Sequence, residues 1–194
     1  MKKILTVTLA LLGMSAFNVQ AEKADATKQT VINFDSVQRD EISLTTVISG
    51  NVEIRKGTLL LKSDKAVIKE SPEGDMFVTL TAAGAKPATF RQKRDGGPDL
   101  WVEGQAQRIE YDDRVSMVKL FTNAQIRQLE GARTTDELQA QFISYDSLRE
   151  QFEGLNDSSG VSKPGQGRNT MIIAPRKPRA APAATPATPA PGTK

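Results

Sequence analysis

Residue types that could make or break bonds are scarce here. The chain of 194 residues contains no His and no Cys. That removes the usual general base, the commonest metal ligand and every Ser-His or Cys-His nucleophile. What remains implies no metal and no cofactor. Acids that stand side by side include Asp112-Asp113 and Asp136-Glu137, and a carboxyl pair can act as acid and base. Neighbours on a strand point to opposite faces, so each pair reads as a solvated turn, and no catalytic residue is assigned. What the chain offers is apolar instead: aliphatic side chains at alternate positions, which gain about 0.8 kcal/mol per CH₂ when buried.

The elements that must position such side chains announce themselves by repetition. Ile-x-(Phe/Tyr)-Asp occurs at Ile32–Asp35, Ile109–Asp112 and Ile143–Asp146, and residues 105–112 match 139–146 at a constant offset. A short strand–turn unit used repeatedly cannot bury its apolar face alone, so the copies must stack. Within each copy the Ile and the aromatic share a face and the Asp takes the other, towards water.

Period-two alternation runs through the rest. Ile42, Leu44 and Ile48 share one face; Val52 and Ile54 alternate with Glu53 and Arg55; Val118 and Leu120 flank Lys119. This is the half-buried strand pattern. Gly50-Asn51, Lys56-Gly57, Pro72-Glu73-Gly74, Asp95–Pro98 and Glu130-Gly131 punctuate it as hairpin turns do. Thr134–Gln141 favours helix locally, yet it is assigned to strand because its partner at 105–112 has a strand context. Ala106 and Ile109 cannot share a face of a regular strand, which predicts a bulge or bend near Gln107-Arg108. The fold class is therefore all-β, made of more than ten short strands: a sandwich, jelly roll or solenoid. The expected inward face is Ile32, Phe34, Leu44, Ile48, Val52, Ile54, Leu59, Leu61, Ala66, Ile68, Phe90, Ile109, Tyr111, Val118, Leu120, Ile126, Ile143 and Tyr145. Tyr111 and Tyr145 carry hydroxyls that a dry core would have to satisfy, which places them near a rim or opening. Taken one by one, each of these residues fits a closed core better than a groove.

The two ends differ from the body. Lys2-Lys3, an apolar stretch to Phe17 and Val19-Gln20-Ala21 form an export signal over residues 1–21, cleaved before Glu22. The apolar run is short for a membrane span of about 20 residues. From residue 174 to 194 the chain is Pro-, Ala- and Thr-rich and basic, the composition of a disordered tail. Residues 22–162 carry 18 Lys and Arg against 23 Asp and Glu, a net charge of −5. The overall pI of 9.2 thus comes from the ends, and the body lacks the basic footprint of a nucleic-acid module.

Three blocks carry a family resemblance. Gly50–Ile68, with its Gly-Asn-Val opening, Gly57-Thr58 and Ser63-Asp64-Lys65, resembles the opening motif of the OstA family of periplasmic lipopolysaccharide transport proteins. Gly84–Phe90 is similar to its Gly-x-Lys-Pro-Ala-Thr-Phe segment, and Glu103–Tyr111 to its Glu-Gly-x-Ala…Tyr segment. One departure is Phe121-Thr122-Asn123, where the family has Gly before Asn. The resemblance implies a single elongated, open-ended β-jelly roll over residues 22–173. It further implies that the inward face lines a groove for lipid A acyl chains. The implied partners are lipopolysaccharide, an inner-membrane anchored LptC-like protein and an outer-membrane LptD-like protein of the same fold, and further copies joined head to tail. Thr30-Val31-Ile32 and Met171-Ile172-Ile173, apolar and without protective charge, are the expected joining edges. A carrier of the same fold that does not polymerise, and a membrane-anchored relative, are the alternatives.

Overall fold

The computed structural model describes Asp25, residues 27–84 and residues 86–175. The export signal and residues 176–194 of the tail lie outside the described residues. Twelve strands, all paired antiparallel, make up the structure: β1 (Thr30–Asn33), β2 (Ser36–Asp40), β3 (Thr45–Lys56), β4 (Leu59–Glu70), β5 (Met76–Thr81), β6 (Ala88–Lys93), β7 (Leu100–Ala106), β8 (Arg108–Asp112), β9 (Met117–Glu130), β10 (Arg133–Asp146), β11 (Gln151–Leu155) and β12 (Thr170–Ile173).

The four long strands each serve two sheets. The first half of β3 pairs with β2 and the second half of β4, while its second half pairs with β1 and the first half of β4. β9 and β10 divide in the same way. Sheet I therefore runs β2-β3-β4-β5-β8-β9-β10-β11, and sheet II runs β1-β3-β4-β6-β7-β9-β10-β12. The register breaks between Ser49 and Val52 in β3 and between Ala140 and Phe142 in β10. At the breaks the backbone turns left-handed, at Gly50 (φ 80°) and Asn51 (47°) in β3 and at Thr122 (66°) and Asn123 (52°) in β9. Gly50-Asn51 is thus a bulge that bends one strand from sheet to sheet, and not the hairpin turn its residues predict. A positive φ suits either, and only the distant partner strand decides.

This row of bends forms one margin of the roll. The chain crosses between sheets along it: at Phe34-Asp35, between β5 and β6, at Gln107 and at 156–169. The bend expected near Gln107-Arg108 is one such crossing; Gln107 donates its N–H to Thr122 O (3.1 Å) and accepts from Ala82 N–H (3.0 Å). The hairpin turns gather at the opposite margin, the mouth. Sheet I contributes 41–44, 71–75, 113–116 and 147–150; sheet II contributes 57–58, 94–99 and 131–132.

Several expectations are corrected by this layout. Ile42 sits in the β2–β3 turn, 98% exposed, and Leu44 follows it at φ 48°, half-buried and outside the strand. The turn ends the alternation that their spacing suggested. Phe34, 39% exposed, lies past the end of β1 where the chain leaves sheet II. Asp136 is buried inside β10, and Asp113, at the β8–β9 turn, is turned inward, so neither belongs to a solvated turn. Asp146 is buried as well, where it accepts from Arg149 N–H (3.0 Å) and Arg149 Nη1 (2.5 Å). That pairing holds its carboxyl below the usual range against a burial effect of the opposite sign. Nor are the strands uniformly short, since β3, β4, β9 and β10 span 12 to 14 residues.

The candidate lipid groove between the two sheets

The inner faces are built by register. In sheet I, Ile48, Ala66, Leu80, Ile109, Leu120 and Ile143 stand opposite one another across successive strands. Nearer the mouth lies the row Ile68, Val78, Tyr111, Val118 and Tyr145. In sheet II the matching row is Ile32, Ile54, Leu61, Phe90, Gly104, Ile126 and Leu138. All but Ile32 and Gly104 belong to one buried apolar cluster, and Ile32 packs against it. Gly104 is fixed by space: a Cβ there would overlap Phe90 and approach Leu120 within 2.9 Å. Phe90 thereby reaches across, and its ring stacks on that of Tyr145 with centroids 6.2 Å apart.

Of the residues expected on the inward face, Val52, Leu59 and those in these rows lie in the cluster or against it; Phe34 and Leu44 are the exceptions. Tyr111 lies at the mouth, where its hydroxyl donates to Asp113 Oδ1 (2.9 Å). Burial, together with that carboxylate, pushes the phenol far above its usual range, so it stays a donor. Tyr145 lies in the same row and is fully buried, its ring stacked against Phe90. Val78, Leu80, Ala88, Val102, Ala106, Ala124 and Leu138 complete the cluster and were not foreseen in it. Their signal was weak: Met76–Thr81 carries apolar residues on both faces, and Leu138 sits in a helix-favouring stretch.

The mouth itself is polar. Lys56 Nζ, reaching from sheet II, meets both oxygens of Asp113 on sheet I at 2.8 and 2.7 Å. Arg94 Nη2 meets Glu150 Oε2 at 2.6 Å, and Asp95 N–H donates to the other oxygen at 2.9 Å. Behind them Gln92 Nε2 donates to Asp25 (3.2 Å), whose carboxylate also accepts from Thr58 N–H (2.8 Å) and Thr58 Oγ1 (2.6 Å). The Lys56–Asp113 and Arg94–Glu150 contacts join sheet to sheet, while Asp25, Thr58 and Gln92 are hydrogen-bonded among themselves on the sheet II side.

Both sheets end in open edges among the described residues. β1 pairs only with β3 and β12 only with β10, and Met171, Ile172 and Ile173 are each more than half exposed. Thr30, Val31 and Ile32 lie on the other edge of the same sheet, with Val31 outward and Ile32 inward.

Two open-edged antiparallel sheets that share bent strands around an aliphatic interior define an open-ended β-jelly roll. Residues 31–151, more than half of the chain, match the profile of the LptA/(LptD N-terminal domain) LPS transport protein family. The chain belongs to that family. It is 26% identical over 174 residues to the lipopolysaccharide export system protein LptA of Haemophilus influenzae, covering 90% of this chain and 91% of the relative. To the protein of the same name in Escherichia coli K12 it is 28% identical over 135 residues, 70% of each. The fold matches the crystal structure of LptH, the LptA-homologous periplasmic component of the lipopolysaccharide transport device of Pseudomonas aeruginosa. The TM-score is 0.67 at 21% identity, over 78% of this chain and 99% of that one.

Proposed function

We propose that this chain carries lipopolysaccharide through the periplasm of a Gram-negative bacterium, with the acyl chains held between the two sheets. One observation supports this reading above the others: the inner apolar rows cross sheet I from β3 to β10 and sheet II from β1 to β10 in a chain of a lipopolysaccharide transport family. An acyl chain of fourteen carbons exposes about 10 kcal/mol of unfavourable surface to water, so a carrier needs a continuous apolar path and few specific bonds. The edges at Thr30–Ile32 and Met171–Ile173 suit addition of a strand from a further copy, or from membrane-bound partners of the LptC and LptD kind. Such a bridge would connect the inner and outer membranes.

A photo-crosslinking amino acid placed at Ile32 (inward) and at Val31 (outward, as control) tests the groove. Lipopolysaccharide is expected on position 32 and not on 31; equal capture, or none, overturns the groove. A charge at Ile54 or Leu120 is a poorer probe, because both are buried in the core and the chain would unfold before transfer could be judged. Sedimentation at rising concentration tests the edges. Mass that stays monomeric, with partner binding unchanged after removal of residues 169–194, would leave a stand-alone carrier.

A further inference from the structure

The ion pairs at the mouth are asymmetric in a way the fold does not require. Both cations, Lys56 and Arg94, belong to sheet II: Lys56 ends β3 on the same side of the strand as Ile54, and Arg94 follows directly after β6. Both anions, Asp113 and Glu150, sit in hairpin turns of sheet I. Parting the sheets separates both of these cations from their anions at once, while Arg149 and Arg114 stay with Asp146 and Asp112 on sheet I. It leaves Lys56 and Arg94 unpaired on one lip, here called the positive lip, and Asp113 and Glu150 unpaired on the other, with Asp25 still tied to Thr58 and Gln92 beside the cations. Hydrogen bonding along this seam is also incomplete. Among the described residues, the buried side-chain polar atoms without a partner are Gln92 Oε1 and Arg94 Nε, two residues apart on the positive lip. Native interiors seldom leave such atoms unmatched. Along β3 the order from lip to interior is Lys56, Ile54, Val52; from Arg94, just past the end of β6, inward along that strand it is Arg94, Gln92, Phe90, Ala88. Each strand thus grades from charge to hydrocarbon over two or three side chains, the profile of an amphiphile with an anionic head.

We propose that Lys56 and Arg94 form a binding site for the phosphorylated head of the carried lipid, and that Asp113 and Glu150 occupy it when the mouth is shut. A phosphate displaces the carboxylates as the sheets part: Lys56 exchanges one anion for another, Arg94 gains a partner for Nε, and Gln92 Oε1 becomes available to a sugar hydroxyl. The ligand chemistry is a phosphomonoester on an acylated sugar. The proposal rests on the lipid-carrying reading above and adds a preference that the reading does not contain.

The test compares purified full chains binding bisphosphorylated lipid A, enzymatically dephosphorylated lipid A and phosphatidylglycerol. The wild type is expected to prefer the phosphorylated form on the order of tenfold, the size of one charge-assisted hydrogen bond. Lys56→Met combined with Asp113→Asn removes the pair without stranding a charge, and Arg94→Gln removes the other cation. Both variants, checked for native thermal unfolding, should bind dephosphorylated lipid A as the wild type does and lose the preference. Asp113→Asn alone, which frees Lys56, should strengthen binding of the phosphorylated form. Equal binding of the two lipid A forms by the wild type, or a preference that survives in both variants, overturns the rim site and leaves the groove standing. No binding of any lipid overturns the carrier reading with it. Competition by phosphatidylglycerol, a phosphodiester without the sugar, as strong as by lipid A would overturn the preference for a phosphomonoester on an acylated sugar.

Discussion

The two margins of the roll close the same interior by different means. At one, four backbones bend through from sheet to sheet, so the closure is covalent. At the other, side chains from hairpin turns meet across the gap in ion pairs and hydrogen bonds. A covalent margin fixes where the sheets join, while a polar margin can exchange its bonds for water or for another ligand at little net change. The difference teaches which side of the molecule can move: sheets held this way part at the mouth and stay joined at the bends.

The comparison is open to attack at the bends first. Gly50 stands at φ 80°, and a Cβ there would overlap the Asp35 carboxylate, which is itself held by Asn51 Nδ2 (3.0 Å). Gly50→Ala is therefore expected to destabilise by about 3 kcal/mol, the sum of backbone strain and a displaced crossing. Urea unfolding measures it, and a loss below about 1 kcal/mol would mean that the bend is pliable. Next comes the mouth. Asp113→Ala leaves Lys56 buried without its anion and Tyr111 without its acceptor, a loss of about 2 kcal/mol. Amide exchange should rise in the 113–116 and 57–58 turns and stay unchanged at the bends; uniform exchange would erase the distinction between margins. The smallest effect returns to the bends. Thr122 takes in β9 the place that Gly50 takes in β3, at φ 66° with a β-branched side chain. Thr122→Gly should stabilise by about 1 kcal/mol by relieving that strain, and a destabilised variant would show that Thr122 has contacts worth more than the strain.

The pair of bends also shows what the sequence could and could not convey. Alternation in Val52–Ile54, Val118–Leu120 and Ala66–Ile68 reports burial directly, because a strand's side chains change face at every residue. The phase conflict between Ala106 and Ile109 reported a crossing for the same reason. Gly50-Asn51 could not reveal whether it turns the chain back or bends it onward, since both need the same local backbone. The missing glycine at Thr122 drew attention as a departure, and the structure shows the bend kept despite it. Phe34 and Leu44 misled because the repeat and the alternation each run one step past the end of their strands. The mouth was illegible altogether. Lys56 and Asp113 stand 57 residues apart, and Arg94 and Glu150 stand 56 apart. Nothing in a charged residue's neighbours names so distant a partner.

Sharing strands between sheets has a mechanical consequence. A backbone that belongs to both cannot let one slide along the other, in register or in depth, without breaking its own pairing. What remains is a single angular coordinate, and the interior's width, the mouth's gap and the exposure of the inner rows are all functions of it. One distance between labels on the 57–58 and 113–116 turns would then describe the state of the whole roll, much as a single dial reading describes the opening of calipers.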